Sequence, residues 1–294
     1  MWVSRRRATL CGAEPMNTSL DLAKQWLNQQ SEFKGTNLVP FAAGTANTLY
    51  QLEGHDLLLR LHNQQLSMTD DCAREYATFA ESAQLGLAPK LVHLDEHHRF
   101  SIIERFGRSA SVLPIEAAET LLRFHQQVTE SLAPRFGGAT FDYPSLLLDP
   151  DRQRKAKIWQ QRMLQSRLRP CWCHYDLGPG NWLVQAKSSG LTLRLIDFEY
   201  SNWGHPWWDL ACLLCEWPMN EADAIVSRYL QLNQLTMTDR EQQARGAAVS
   251  LYLAVSLQWC DGALAQAKSK TQQQLLQTRR RHYQKLWTGN GLDH

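Results

Sequence analysis

Two acidic motifs in the second half of the chain carry the residue types that phosphoryl transfer requires. The first, residues 174–181, reads HYDLGPGN, and the second, residues 196–199, reads IDFE. Phosphoryl transfer needs a base or positioning group for the attacking hydroxyl, and oxygen ligands for Mg²⁺ on the phosphates. The spacing predicts Asp176 as the base and Asn181 and Asp197 as magnesium ligands. Taken alone, Asp176 also suits a simple turn.

The elements around these motifs must bring them together. Short apolar runs at 182–184 and 193–196 are typical of two strands, and their antiparallel pairing would place Asn181 and Asp197 at one metal. Before them, the pattern predicts a small sheet with one long inserted helix. Its parts are a helix at 20–29, strands from 38 to 61 separated by turns at 44–48 and 53–56, a helix at 70–85, and strands at 91–94 and 100–103.

Helices dominate the rest of the chain. The periodicity predicts helices at 117–128, 152–168 and across most of 207–287, with an irregular connection at 132–150 and a strand near 172–173. The charges of the basic helix at 152–168 are most simply a solvated face. Residues 1–15 fit a disordered basic extension, because the stretch after Arg5-Arg6-Arg7 is too polar for a signal peptide, and Met16 is an alternative start.

The two motifs, followed by Asp209-Leu210-Ala211, resemble those of the choline kinase and aminoglycoside phosphotransferase superfamily. The resemblance extends from about Leu38 to Glu216. It implies an α+β, two-lobed protein-kinase-like fold, with a small antiparallel-sheet lobe at 16–105 that binds ATP. A mainly helical lobe at 106–294 would carry the catalytic and substrate-binding residues. ATP and Mg²⁺ are the implied cofactors.

The resemblance also implies roles for residues outside the two motifs. Arg60 would bind phosphate and Glu75 would pair with it, although Glu75 alone reads as a solvated helix charge. The segment from Glu104 to Phe106 would be the hinge beside adenine. A buried Asp209 would hold the catalytic loop. The remaining implied residues form the loop over the phosphates: Gly44, Thr45, Asn47 and Thr48.

Departures from the family pattern bear on these roles. The phosphate loop has one glycine rather than the G-x-G-x-x-G of protein kinases. Thr45, Asn47 and Thr48 either donate hydrogen bonds to phosphate or merely form the turn. Arg60 stands in place of lysine, which favours the choline- and thiamine-kinase-like members over the antibiotic kinases.

Other residues near the motifs have two readings each. His174 is expected mainly to fix the loop through hydrogen bonds, with proton transfer as the alternative. Glu199 either supports the metal ligands or contacts the acceptor. The chain has 11 tryptophans, and several follow the second motif, where aromatic faces and carboxylates would suit a cationic substrate unless they simply pack the core. The substrate candidates are Glu199, Trp203, Trp207, Trp208 and Glu216.

The predicted reaction is transfer of the γ-phosphoryl of ATP to the hydroxyl of a small cationic alcohol. The compact chain and Arg60 resemble bacterial thiamine kinases, so thiamine is the first expected acceptor. Choline or ethanolamine comes second and aminoglycosides third. A catalytically silent protein on the same fold is the alternative of another class, and intact Asp176, Asn181 and Asp197 argue against it.

Composition narrows the class of protein further. A formal charge of +2 is too small to indicate a nucleic-acid partner. The chain lacks an apolar run of 18 residues, so no membrane partner is expected. Seven cysteines without regular spacing indicate a reduced, cytoplasmic protein. A monomer or a homodimer is expected. A zinc site from Cys171, Cys173, Cys212 and Cys215 is disfavoured, because the second pair lies in an apolar run.

Overall fold

The computed structural model describes residues 16–43, 47–62, 70–138, 141–188 and 190–289. These residues form two compact units, which we call the sheet unit and the helical unit. The sheet unit comprises the described parts of 16–110 and 180–201, and the helical unit those of 111–179 and 202–289. The division predicted at residues 105 and 106 stays a prediction.

A five-stranded antiparallel sheet organises the sheet unit. Its strands lie in the order β1-β2-β3-β5-β4. Helix α1 covers it through Ala23 and Leu27, which are one turn apart and share a buried face with Leu59 and Phe100. The bounds are α1 Met16–Gln29, β1 Leu38–Ala43, β2 Asn47–Leu52, β3 Leu57–His62, β4 Leu91–Leu94 and β5 Phe100–Glu104. The predicted antiparallel sheet is confirmed.

A second, three-stranded sheet completes the sheet unit. Its order is β6-β8-β9, with β6 at Arg108–Ser109, β8 at Trp182–Lys187 and β9 at Gly190–Leu195. Helix α2, Asp70–Gln84, ends before Gly86, whose φ of +71° suits glycine. The amide of Leu195 donates to the Leu87 carbonyl at 2.7 Å, which ties β9 to the residues after α2.

The helical unit is built from seven α-helices and one two-stranded sheet among its described residues. The strands are β7 Cys171–Cys173 and β10 Asn202–Gly204, paired antiparallel. The helices are α3 Ala117–Arg123, α4 Thr129–Phe136, α5 Pro150–Met163, α6 Pro206–Glu216, α7 Met219–Leu232, α8 Asp239–Gln266 and α9 Lys270–Gly289. A π-helical turn, Phe124–Val128, joins α3 to α4.

The sequence predicted the positions of the helices well, but the ends of two helices differ in the structure. The connection predicted as irregular begins late, because α4 continues to Phe136 with Pro134 in its last turns. Helix α5 ends at Met163 rather than near 168. The short strands β6 and β10 were not predicted, since two or three residues carry no periodicity of their own.

Helix α8 has a composition that bears on membrane association. Of the described helices, it alone is long and apolar enough to cross a membrane, with a mean hydropathy of 1.2 in its most apolar window. In the structure 56% of that window is buried. Core helices of soluble proteins can have the same length and hydropathy, so α8 is weak evidence for a membrane span.

Candidate functional site

Asp176 lies on a loop whose backbone is held by a buried carboxylate. The Asp209 side chain accepts hydrogen bonds from the amides of His174 and Tyr175, each at 2.8 Å. Tyr175 has a φ of +73°, an uncommon conformation for a bulky residue that persists only where its surroundings enforce it. Asp209 thus stabilises the backbone turn that carries Asp176, the role that the family resemblance implies for it.

His125 contacts the Asp209 carboxylate through one ring nitrogen and Tyr229 through the other. Its Nε2 lies 2.9 Å from an Asp209 carboxylate oxygen, and its Nδ1 lies 2.7 Å from the Tyr229 hydroxyl. Burial disfavours the imidazolium, but the neighbouring Cys171 sulfur and the Asp209 carboxylate outweigh burial and raise the pKa of His125. Sequence reasoning missed His125, because a histidine 84 positions from Asp209 gives no local signal.

His174 is fully buried, and its ring contacts the backbone of the loop that carries Asp176. Its ring Nδ1 accepts a hydrogen bond from the amide of Asp176 at 3.3 Å. Trp217 adds a further restraint, since its indole nitrogen donates to the Leu177 carbonyl at 2.9 Å. The contact of His174 with the Asp176 amide favours the interpretation that His174 fixes the loop.

Glu216, at the end of α6, is the second carboxylate near Asp176. A Cβ placed on Gly178 would lie 3.6 Å from an Asp176 carboxylate oxygen and 3.9 Å from a Glu216 oxygen, so the two carboxylates flank the same glycine. Glu216 accepts hydrogen bonds from the hydroxyls of Tyr252, at 2.9 Å, and Tyr283. The helical unit therefore holds two acidic groups near each other, one of them hydrogen-bonded to two buried tyrosines.

The tryptophans predicted for the substrate have different surroundings. Trp203 is half-buried, and its carbonyl accepts a hydrogen bond from the Tyr175 hydroxyl at 3.2 Å. Trp207 is fully buried and donates to Ser166 and Glu241, so it supports the fold. Trp208 is also buried and stacks on Tyr143, with ring centroids 4.4 Å apart.

Gly204, on β10, allows the strand to pack closely against Tyr143 and Tyr175. A Cβ at that position would collide with the hydroxyls of Tyr175 and Tyr143. These two hydroxyls lie 3.0 Å apart and form a hydrogen bond. Glycine is therefore required where the strand approaches the two rings.

In the sheet unit, a cation and two carboxylates converge from distant parts of the chain. The Arg60 guanidinium on β3 lies 3.2 Å from the Glu75 carboxylate on α2 and 3.8 Å from that of Asp197. Burial is the main cause that raises the pKa of Glu75, although the Arg60 charge opposes it. The structure thus brings together Arg60 and Glu75, which the family resemblance expects to pair, and Asp197, the expected metal ligand.

Asn181 and Asp197 occupy the same end of the β8–β9 hairpin. The register pairs Trp182 with Leu195, and the next amide, that of Ile196, donates to the Asn181 carbonyl at 3.1 Å. Asp197 has a φ of +68°, which turns the chain sharply after the strand. The predicted hairpin is confirmed, and the oxygen donors at its end are of the kind that Mg²⁺ prefers.

Glu199 and the predicted hinge lie in the same unit. Burial, and then the nearby Asp197 charge, raises the pKa of Glu199 to about 7. Glu104, at the end of β5, accepts hydrogen bonds from the Lys90 amide and from Arg194. The Arg194 guanidinium also stacks 3.9 Å above the buried Phe106 ring, so one arginine joins both ends of the predicted hinge.

The predicted phosphate loop is described only in part. Gly44 and Thr45 lie outside the described residues. The backbone of Asn47 begins β2 opposite His62, and Thr48 pairs with Leu61. Thr48 is half-buried.

Among the described residues, no group with metal-ligand geometry joins Cys212 or Cys215 to Cys171 and Cys173. The five cysteines whose side chains are described are free and buried, and Cys212 contacts the Leu177 amide and the Tyr252 hydroxyl. Only one described group has metal-ligand geometry: His125, Cys171 and Cys173. Both ring nitrogens of His125 already contact Tyr229 and Asp209, which makes this a hydrogen-bonded core cluster.

His205, which caps α6, should make the helical unit sensitive to acid. Its Nδ1 accepts from the Trp207 amide and its Nε2 contacts the Leu168 carbonyl, an arrangement that needs the neutral ring. Burial lowers the pKa of His205 from 6.5 to about 4. Because the unfolded chain binds the proton more tightly, stability falls as the pH drops through this window, by about 3 kcal/mol.

The measurement is the free energy of unfolding between pH 7 and pH 4 for the protein and for His205→Asn. Asparagine retains an oxygen that can accept the Trp207 amide but does not titrate. We expect the variant to show a flatter pH dependence. An unchanged pH slope would assign the acid sensitivity to other groups.

Comparisons with known proteins identify the family and the fold. Choline/ethanolamine kinase of Mus musculus is 22% identical over 253 residues, which cover 73% of this chain and 64% of the mouse protein. The chain thus spans less than two thirds of that relative's length. The choline kinase LicA from Streptococcus pneumoniae superposes with a TM-score of 0.62 at 18% identity, covering 90% of this chain and 99% of that one.

An antibiotic kinase shares the same fold. The GDP and kanamycin complex of APH(2'')-IIia superposes with a TM-score of 0.61 at 16% identity, covering 93% of this chain and 99% of that one. These likenesses confirm the predicted two-lobed α+β fold. Residues 37–245 match the phosphotransferase enzyme family, APH. That match extends over well more than half of the 294 residues, from β1 to α8, and the chain belongs to this family.

Proposed function

We propose that this protein transfers the γ-phosphoryl group of ATP to the hydroxyl of a small cationic alcohol. The proposal rests mainly on the Arg60 guanidinium, which lies within 3.8 Å of the carboxylates of both Glu75 and Asp197. A guanidinium held by one carboxylate and adjacent to a second is suited to nucleotide phosphates and their metal ion. Membership of the phosphotransferase enzyme family supports the same reaction class.

The sheet unit supplies the groups for the nucleotide in this proposal. Asn181 and Asp197 would hold Mg²⁺, which neutralises phosphate charge when bound. Arg60 would contact a phosphate oxygen, and Glu75 would keep its side chain in place. The chain from Glu104 to Phe106 would offer backbone groups to the adenine edge, with Arg194 fixing both side chains.

The helical unit supplies the groups for the acceptor. Asp176 would accept the hydrogen bond of the attacking hydroxyl and take its proton, on a loop fixed by Asp209 and His174. Glu216 and the tyrosine rings beside it would favour an acceptor with a positive charge. Asp176 and Glu216 flank Gly178, so a compact alcohol could reach both carboxylates.

Choline and ethanolamine are the first acceptors to test, because the mouse and Streptococcus relatives are named for them. Thiamine, which the sequence favours, comes next, although none of the relatives named above is a thiamine kinase. An aminoglycoside is third, on the fold likeness to the kanamycin complex. We also propose a cytoplasmic protein that binds neither nucleic acid nor membrane, as a monomer or homodimer.

The test is an assay of ADP release with ATP and Mg²⁺ against choline, ethanolamine, thiamine and kanamycin, with the phosphorylated product identified by mass spectrometry. We expect turnover of at least one of these cations, and loss of turnover on chelation of the metal. Tight ATP binding without turnover of any acceptor would instead support the catalytically silent alternative.

Arg60→Gln tests the nucleotide side of the proposal. Loss of the guanidinium should raise KM for ATP by about tenfold or more, since a charge-assisted contact to phosphate contributes about 1.5–3 kcal/mol. Arg108→Gln, on the exposed strand β6 of the same unit, is the matched control and should leave KM unchanged. Equal KM values for both variants would remove Arg60 from the nucleotide site.

A further inference from the structure

The Glu216 carboxylate already forms an ion pair with a side chain of this protein, Arg279. The Arg279 guanidinium on α9 lies 3.7 Å from a Glu216 oxygen, and its Nε donates to the Tyr283 hydroxyl at 2.8 Å. Tyr283 in turn donates to the other oxygen of Glu216. The Glu216 carboxylate thus forms an ion pair with Arg279 and accepts hydrogen bonds from two tyrosines, Tyr252 and Tyr283.

Aromatic rings surround the same guanidinium. Its central carbon lies 5.5 Å from the Trp259 ring centroid and 5.8 Å from that of Tyr283. A carboxylate with aromatic faces is what an organic ammonium group would require. Arg279 therefore contacts the groups that a cationic acceptor would need, beside the glycine that Asp176 also flanks.

We propose that Arg279 is an internal counter-ion that competes with the cationic part of the acceptor for Glu216, and so determines acceptor specificity. This inference rests on the proposed function. The Arg279 side chain is 38% exposed whereas that of Glu216 is 10% exposed, so the arginine can move toward solvent while the carboxylate stays mostly covered. A cationic acceptor binds by displacing the guanidinium, while an uncharged alcohol gains nothing from its departure.

The experiment compares Arg279→Gln with Arg280→Gln. Arg280 is the next residue on α9, and it pairs with Asp261 rather than with Glu216. Each variant is assayed with choline and with 3,3-dimethylbutan-1-ol, the uncharged isostere in which carbon replaces nitrogen. For Arg279→Gln we expect KM for choline to fall about tenfold, because a like charge is removed from a partly screened site. KM for the isostere should stay unchanged, and Arg280→Gln should alter neither.

A second measurement separates this inference from the proposed function. Tetramethylammonium binding is followed by tryptophan fluorescence without ATP, in the protein, in Arg279→Gln and in Arg279→Lys. Tighter binding only in Arg279→Gln supports competition by charge, even if no alcohol is phosphorylated and the proposed function fails. Weaker binding in Arg279→Gln would overturn the inference and make Arg279 a support for Glu216. Equal gains for choline and its isostere would overturn it too, because they would indicate a steric effect.

Discussion

Replacing Asp176 by asparagine is expected to lower kcat by about 10²- to 10⁴-fold, with little change in KM for ATP. The amide keeps the size of the side chain and its hydrogen-bonding capacity, but it cannot take the proton of the attacking hydroxyl. The loop should keep its shape, because Asp209 and His174 hold it through the backbone amides of residues 174–176. The effect should therefore fall on the chemical step.

The measurement is steady-state kinetics with whichever acceptor gives turnover. Asp223→Asn is a matched control in the same unit, since Asp223 forms a part-exposed ion pair with Arg245 on α8. It should leave kcat unaltered. If Asp176→Asn keeps kcat within a few-fold of the parent, Asp176 positions the acceptor without removing its proton, and the base must be sought elsewhere.

Replacing Asp209 by asparagine is expected to lower the free energy of unfolding by about 3–5 kcal/mol, as when one partner of a buried ion pair is removed. The carboxylate is fully buried and receives hydrogen bonds from His125 and from the amides of His174 and Tyr175. Asparagine would turn an N–H group toward these donors. The imidazolium of His125 would also lose the buried negative charge of Asp209.

Urea unfolding followed by circular dichroism measures this loss, again with Asp223→Asn as the control. The control should change stability by at most about 1 kcal/mol, because a solvent-exposed ion pair contributes little. The folded Asp209→Asn protein should also turn over slowly, because the amides of His174 and Tyr175 bind different oxygens of Asp209 and asparagine retains only one. A stability within 1 kcal/mol of the parent would mean that His125 is neutral and that Asp209 has no ion pair to lose.

The sequence predicted the elements whose hydrophobic pattern is local. The apolar run from Leu57 to Leu61 and the turn residues at 53–56 specify β2 and β3. The hairpin that places Asn181 and Asp197 at one end follows from two further apolar runs. The family resemblance supplied Arg60 and Glu75. Their contact depends on a sheet and a helix packing together, and periodicity alone does not report such a contact.

The missed parts of the candidate site depend on long-range contacts. His125, Arg279 and Tyr283 reach their carboxylates from helices far along the chain, and each lies in a segment that reads as an ordinary amphipathic helix. Trp207 was predicted near the substrate because of its position after the second motif. Its buried contacts with Ser166 and Glu241 depend on α8 packing against α6, which no local pattern specifies.

The sheet unit has a consequence for how the protein is synthesised. Its three-stranded sheet pairs β6, at residues 108–109, with β8, which is made more than seventy residues later and pairs in turn with β9. While the ribosome is still adding residues 111–179, β6 has no partner and the Leu87 carbonyl lacks the Leu195 amide. The sheet unit thus cannot complete its fold until residue 201 has left the exit tunnel. A nascent chain stalled before that point would expose an unpaired strand edge.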